Sequence, residues 1–372
     1  MLKVADIPAE VMGVASAATL ESLVAAALRA PSGDNTQPWR FQIDPRTGRV
    51  SLFLDESRDP SPMNAGQRMA RIALGAAFEN LLRAAGSLGL EIAVETPTPP
   101  AVAAVRVAGS PVGRVEDGIR ARVTNRRPYD DEPLSAPLLA KLRRQTPPRQ
   151  GVATHWIVGS ERLRSFGRLI RRSDEIMLGE PAFYDAFLHN VRFDAPAAAE
   201  VEEGLSLASL ELKSVDRFGL RLLPRLPLPL RRLGLKPLAA HSQMLVESAG
   251  GLCLFVAASS REETDLAVGQ AVQSAWLALT DENLSAQPMM SLVILGNVLD
   301  HGSAETVASF GKAKLEDLRA ELLGLAPEIG SGRPAFLLRV GFGPPPTGRV
   351  GRLPLRSVTF ESPLGPPPRS RV

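Results

Sequence analysis

A single cysteine, four histidines and no long apolar run set the first limits on this chain of 372 residues. The lone Cys253 excludes an intramolecular disulfide and any multi-cysteine metal site. His155, His189, His241 and His301 show no metal-ligand spacing, so no metal is expected and each histidine reads as structural. No window approaches the roughly eighteen uninterrupted apolar residues of a spanning helix. The N-terminus lacks the charged-then-apolar layout of a signal peptide, and the expectation is a cytoplasmic protein with no membrane partner. A large excess of one charge is missing too: 43 basic and 40 acidic residues leave a net charge of +3. That is too little for a nucleic-acid partner unless the charge is concentrated, so position matters more than the sum. There is no Gly-rich phosphate loop or dinucleotide fingerprint, since Gly341-Phe342-Gly343 runs straight into three prolines. Ser32 lacks the Gly-x-Ser-x-Gly setting of a hydrolase nucleophile. Cys253 sits in an apolar run and reads as core.

What is present is ample core material, at 44% hydrophobic and 22% charged residues, enough for one large domain or two ordinary ones. Periodicity predicts a helix over 20–29, which must stop before Pro31. A polar loop over 30–38 leads into strands at 39–43 and 50–54. A long helix is expected over 67–88 and a strand over 101–107. Further strands are expected at 154–158, 251–257, 291–295 and 335–340, with a buried helix over 266–280. This alternation indicates a mixed α/β or α+β sheet protein. The region 180–241 reads as irregular, and the prolines of 221–237 interrupt any continuous amphipathic helix there. Inside a domain, an insertion of that length reads as a lid or binding element.

An internal repeat emerges when Gly75 is set against Gly269. Both are followed by Ala two residues on (Ala77, Ala271), Ala nine residues on (Ala84, Ala278) and Leu after fifteen (Leu90, Leu284). Leu28 and Trp39 can likewise be set against Leu142 and Trp156. The offsets, 114 at the leucines and 194 at the glycines, leave the second copy longer by about the irregular region. Each half holds only part of a possible site, which predicts one composite pocket between them.

Two segments offer chemistry. In Arg122-Val123-Thr124-Asn125-Arg126-Arg127, guanidinium forks flank a hydroxyl, which suits phosphate oxygens or simply makes a solvated basic loop. Arg349, Arg352 and Arg356 either close the same site or decorate the surface. The second segment, residues 32–37, presents hydroxyl, carboxylate and amide groups between prolines. These suit the edge of a heterocycle or serve as ordinary turn residues.

Ala30-Pro31-Ser32-Gly33-Asp34-Asn35-Thr36-Gln37-Pro38-Trp39 resembles the A-P-S-x-x-N-x-Q-P-W signature of the FMN-dependent nitroreductase superfamily. Arg122-Val123-Thr124-Asn125-Arg126, followed by Tyr129-Asp130 and Pro133-Leu134, is similar to its R-x-S-x-R motif. Ser285 to Pro288 and Arg349 to Arg356 resemble its later flavin-side loop and C-terminal basic segment. Ordinary members are homodimers that hold each flavin between subunits. The motif order is reversed here, which resembles the fused, dormancy-associated (Acg-like) branch.

The resemblance implies an α+β nitroreductase-like fold whose halves, 1–115 and 116–360, form an intramolecular pseudo-dimer. A lid insertion would cover about 180–240 and a flexible tail 361–372, and further oligomerisation is open. It implies FMN as cofactor, with Arg122, Thr124 and Arg352 on the phosphate and Arg349 as helper. Asn125 belongs to the same motif, and Arg126 would lie at the pyrimidine edge, where a cation stabilises charge developing on reduction. One extra residue before Tyr129 leaves Arg127 as the alternative. Ser32 and Asn35 would reach the ring and ribityl with Gln37 nearby, while Pro288 and Met289 would border N5. The family's Glu-Gly at that last loop is absent. The implied activity is electron transfer from NAD(P)H through FMN to a quinone, nitro compound or other small acceptor, with no side-chain acid or base strictly required. A lid-closed flavin-sequestering protein and an oxidase for a dedicated biosynthetic substrate are the alternatives.

Overall fold

A computed structural model describes residues 13–193, 201–211, 220, 222 and 226–360. The expected tail at 361–372 and parts of the expected 180–240 insertion lie outside the described residues.

Helix α1 (Ala17–Ala27) begins where the Ser16 hydroxyl accepts from the Thr19 amide, and it closes ahead of Pro31. It is followed by β1 (Trp39–Asp44), β2 (Arg49–Leu54), the 20-residue helix α2 (Arg68–Ser87), β3 (Glu91–Glu95) and β4 (Ala101–Ala108). Next come α3 (Asp117–Ala121), α4 (Ala136–Gln145), β5 (Val152–Ile157), α5 (Ser160–Gly179) and α6 (Pro181–His189). The strands β6 (Val191–Arg192) and β7 (Leu205–Ser206) precede α7 (Leu228–Glu247), β8 (Gly251–Ala257) and α8 (Glu262–Asp281). The chain continues through β9 (Ser285–Pro288), α9 (Ser291–His301), α10 (Ala304–Phe310) and α11 (Lys312–Leu325). It ends, within the described residues, with β10 (Arg333–Gly341), α12 (Leu355–Val358) and β11 (Thr359–Phe360).

This mixed α/β architecture rests on two main sheets, ordered β11-β1-β2-β4-β3 and β5-β8-β10-β9, with β6 and β7 as a separate pair. Leaving β11 aside, the two orders correspond strand for strand, and every corresponding pair is antiparallel. The registers correspond as well. Glu91 faces Ala108 and Ser285 faces Gly341, at the same step after Leu90 and Leu284. Pairing followed from Val94 through Val105 and Val50 reaches Ile43. The matching path from Pro288 through Leu338 and Cys253 reaches Trp156. Trp156 therefore occupies the place of Ile43, and the tryptophan register suggested by sequence is a coincidence. The glycine register holds. Cys253, in the place of Val50, is fully buried core.

Helices α2 and α8 cross at those glycines. A Cβ on Gly75 would lie 2.0 Å from the Leu266 carbonyl oxygen, and one on Gly269 would lie 2.0 Å from that of Ile72. Each glycine thus touches the residue three before its counterpart, a self-complementary contact of the kind a two-fold axis produces. Only glycine lets the two backbones approach so closely. Polar ties flank the crossing: Gln273 donates to the Asn80 side chain at 2.7 Å, and Arg83 to Ser274 at 2.8 Å. Asp265, fully buried, accepts from Arg68 of α2 at 2.6 Å and from Arg333 of β10.

Two expectations are corrected. Residues 291–295 are the start of helix α9, not a strand. Leu292, Val293, Ile294 and Leu295 are all buried, so the run carries no one-sided signal, and a short apolar run fits either element. The stretch 180–241 is likewise not irregular throughout. It contains α6 and most of α7, which runs on through Pro237. Helix α7 is held by packing on α5, where a Cβ on Gly167 would come 3.1 Å from the Glu247 side chain. Tertiary contact there outweighs the lost helical hydrogen bond.

Candidate functional site

The loop at 31–38 is shaped by an unusual backbone. Asp34, Asn35 and Gln37 have φ of 44°, 59° and 54°, a region that Asn and Asp tolerate and Gln rarely enters. The strain at Gln37 is held by hydrogen bonds. Its amide donates to the Glu202 carbonyl at 2.7 Å, its side-chain oxygen accepts from Leu353 N at 3.0 Å, and Ser32 Oγ accepts from its backbone N–H at 3.0 Å. Asn35 donates to the carbonyls of Glu202, Gly204 and Gly351. The loop is thereby clamped between residues 201–204 and 351–353.

Beside it opens a cavity of about 350 Å³, within the range of small-molecule sites. Its floor is the face of α2 carrying Met69, Ile72, Ala73 and Ala76. Gln287, Pro288, Met289 and Met290 form one wall at the β9–α9 junction, and the opposite wall carries Ser32, Asp34, Thr36 and Asp59. Met177, Leu178, Phe187 and Leu238, from α5, α6 and α7, cover it. A smaller chamber of about 60 Å³ adjoins it and shares Pro31, Ser32, Asp34, Thr124 and Arg126. Its remaining lining includes four arginines, Arg29, Arg122, Arg349 and Arg352, and no carboxylate besides the shared Asp34.

Arg122 is the centre of the small chamber. Its guanidinium carbon lies 4.7 Å from the Trp276 ring centroid, and one terminal nitrogen donates to Arg29 O at 3.0 Å. Its Nε is buried without a hydrogen-bond partner. Burial, then the charges of Arg352, Arg29 and Arg349, hold its pKa well below the usual arginine value. Five arginines around one small chamber, with Arg122 buried among them, are the donor set of a multiply charged anion. Arg352 donates to the carbonyls of Leu28 at 2.7 Å and Ala30 at 2.9 Å and to Asn35 Oδ1 at 3.1 Å. It fixes the loop as well as adding charge.

Arg126 lines both chambers and donates to Ser209 O at 2.9 Å, whereas Arg127 reaches Pro345 O outside them. Burial lowers the Arg126 pKa, partly offset by attraction from Asp34 and Glu211. Thr124 also lines both chambers. Asn125 lines neither; it binds Ser285 Oγ and Pro344 O, both at 2.8 Å. Gln37 too faces neither chamber, and Asn35 faces only the small one. Pro288 and Met289 border the large cavity, and the Met289 N–H is engaged by Leu337 O at 2.9 Å. Arg349 is exposed at the rim and donates to Arg120 O at 3.2 Å.

Several residues were not singled out from sequence. Arg339, fully buried 3.8 Å over the Tyr129 ring, donates to Asn125 O, Arg127 O and Gln287 and so shapes the basic segment. Burial lowers its pKa to about 10. Arg29 stands one residue before the matched motif, and Asp59 and Asp174 come from segments without any motif. Asp174, whose pKa burial raises to about 6, hydrogen-bonds Ser242 and Ser291 at the cavity edge.

No family model matches this sequence. An uncharacterized protein of Mycobacterium tuberculosis (strain CDC 1551 / Oshkosh) is 26% identical over 350 residues, covering 88% of this chain. The chain spans 46% of the length of that relative. Among solved structures, it is similar to the hypothetical oxidoreductase YcnD from Bacillus subtilis, at 15% identity and a TM-score of 0.35 over 65% of this chain and 72% of that one. The FMN-dependent nitroreductase NfnB from Mycobacterium smegmatis, solved with NADPH, gives 18% identity and a TM-score of 0.36 over 66% and 96%. A nitroreductase with bound FMN from Bacteroides fragilis gives 13% identity and 0.33 over 69% and 96%. Among the described residues, no helix is long and apolar enough to cross a membrane.

Proposed function

We propose that the chain is an FMN-dependent oxidoreductase of nitroreductase type, with one flavin held between two fused half-folds. The observation that carries this reading is the joined pair of chambers: a roomy, mostly apolar one for a planar ring, opening into a small arginine-lined one for a phosphate. Thr36 beside the large chamber, Arg122 beside the small one and Thr124 beside both put donor-bearing residues around a ligand that spans the two. The corresponding strand orders and the reciprocal glycine contact support the pseudo-dimer, with residues 1–115 playing the partner subunit.

Bound there, FMN would supply two-electron redox chemistry between NAD(P)H and a small acceptor such as a quinone or nitro compound. Arg122, Arg29 and Arg352 would neutralise the phosphate, with Thr124 and Ser32 as neutral donors. Arg126, the cation common to both chambers, would face the ring's pyrimidine edge and stabilise negative charge there. Met69, Ile72, Ala73 and Ala76 would exclude water from one ring face, and Pro288 and Met289 would border its central edge. Asn35, Gln37 and Asn125 act one step back, as positioning residues.

A flavin-sequestering role has an observation of its own: residues 201–211 are bonded to the 31–38 loop and to Arg126. Such ties would hold a lid shut. Purified protein is expected to be yellow with one FMN per chain, and anaerobic NADPH should bleach it within seconds. Persistent colour under NADPH would favour sequestration, and colourless protein that ignores added FMN would end both readings.

A further inference from the structure

We propose that Asp59, held beside Asp34 on one wall of the large cavity, donates the proton to the acceptor that is reduced there. The assignment rests on the flavin reading above. Asp59 is 7% exposed, and among the described residues no cation forms an ion pair with it. Its neighbour Arg58 turns away, to Glu203 at 2.7 Å and Thr36 O at 3.0 Å. Asp59 Oδ2 stands 3.8 Å from where a Cβ on Gly33, the residue before Asp34, would be, and Asp34 and Asp59 both line the cavity. The Asp59 backbone is anchored by Asn64, which donates to its carbonyl at 3.1 Å.

Ser32, Thr36 and Ser61 line the same cavity as the two carboxyls, so an acceptor bound there meets polar residues as well as the acid.

The charged groups lining this cavity are Asp34, Asp59, Asp174 and Arg126. Arg126 acts on Asp34, which also accepts from Asn190 at 3.4 Å, and Asp174 is tied to Ser242 and Ser291. Burial, then the charge of Asp34, pushes Asp59 up to about 7, so the acid form is well populated near neutrality. The Asp34 charge thus works against ionising Asp59 and helps to keep its proton in place.

Reduced FMN, once bound, would supply the hydride that turns a quinone into the hydroquinone anion and would itself be oxidised. The Asp59 O–H would break as its proton joins the anionic oxygen, completing the hydroquinone, and the Asp59 carboxylate would regain a proton from water.

The test compares a quinone with ferricyanide, which accepts electrons without a proton, as oxidants of the NADPH-reduced full-length protein. In Asp59→Asn the ratio of quinone to ferricyanide rates should fall by about tenfold to a hundredfold, the scale of a lost general acid. In the wild type that ratio should decline as pH rises through about 7, the titration placed on Asp59. Asp59→Glu should restore part of the ratio. An infrared pH titration of the full chain without acceptor should show a protonated carboxyl band near neutrality that Asp59→Asn removes. An unchanged ratio in yellow Asp59→Asn protein overturns the assignment, as does a wild-type ratio independent of pH. Wild-type protein that binds no FMN instead overturns the flavin reading on which it rests.

Discussion

Helices α2 and α8 meet through matched glycines, yet the surfaces beside the crossing have opposite character. Toward the cavity, α2 presents Met69, Ile72, Ala73 and Ala76. The same steps along α8 carry Glu263, Leu266, Ala267 and Gln270. An acid and an amide thus stand where a flat apolar ring would need a methionine and an alanine. The basic sides differ as well. Arg122 and its neighbours are short of carboxylates, whereas Arg83 and Arg149 converge on the buried Glu79, at 3.1 and 2.5 Å. One side is built to receive a charge, and the other has already neutralised its own. Under the proposed duplication, the scaffold needs two halves but only one of its two symmetry-related sites.

The sharpest way to break this comparison is at the crossing itself. Gly75→Val and Gly269→Val each drive a side chain into an opposing backbone, and both are expected to cost more than about 4 kcal/mol. Circular dichroism melts should show similar damage from either, and tolerance of one alone would show the contact to be one-sided. Next come the two basic sides. Arg122→Ala should weaken FMN binding by roughly 1.5–3 kcal/mol, or about tenfold to a hundredfold, as followed by fluorescence titration. Arg149→Ala should leave FMN affinity alone and lower the melting temperature, because Glu79 loses a partner. If Arg149→Ala weakened flavin binding as much as Arg122→Ala, the two sides would not differ as described.

A smaller effect, about tenfold in FMN affinity, is expected from Met69→Glu, which gives α2 the residue found on α8. The comparison is also open to a pH effect on stability. The raised Asp59 pKa favours the folded state most at low pH, and that contribution is lost as pH rises from the ordinary carboxyl range through about 7. Asp59→Asn should therefore melt higher than wild type, relative to their difference near pH 4, once the pH reaches about 9. A difference that stays constant with pH would mean that Asp59 is not held protonated.

The parts legible from sequence were those whose signal is local. Pro31 and Pro38 bracket the loop, and the Gly75–Gly269 register could be read because close approach demands small residues at fixed steps. Arg126 could not be told from Arg127, because Arg339 and Tyr129 decide which guanidinium turns inward, and they act from another strand and a neighbouring turn. The 291–295 run reads as a strand because five buried residues in succession offer no polar position to betray the helical period. Asp59, Asp174 and Arg29 were invisible as a group: nothing in spacing predicts that three separate segments will line adjoining chambers. Asn35 and Gln37 carry the most recognisable letters of the motif, yet their contacts are with backbone, so a strong sequence signature here marks loop geometry more than ligand contact.

One late contact bears on how the protein is made. Arg352 grips the Leu28 carbonyl across 324 residues of sequence, and β11 completes the first sheet by pairing with β1. A ribosome that has released residues 13–341 has produced both main four-stranded arrays but neither the 351–353 side of the clamp on the 31–38 loop nor the edge beside β1. A nascent chain stalled before residue 349 would therefore present an arginine chamber with one wall missing, and on the proposed reading flavin capture waits until residues 349–353 have emerged.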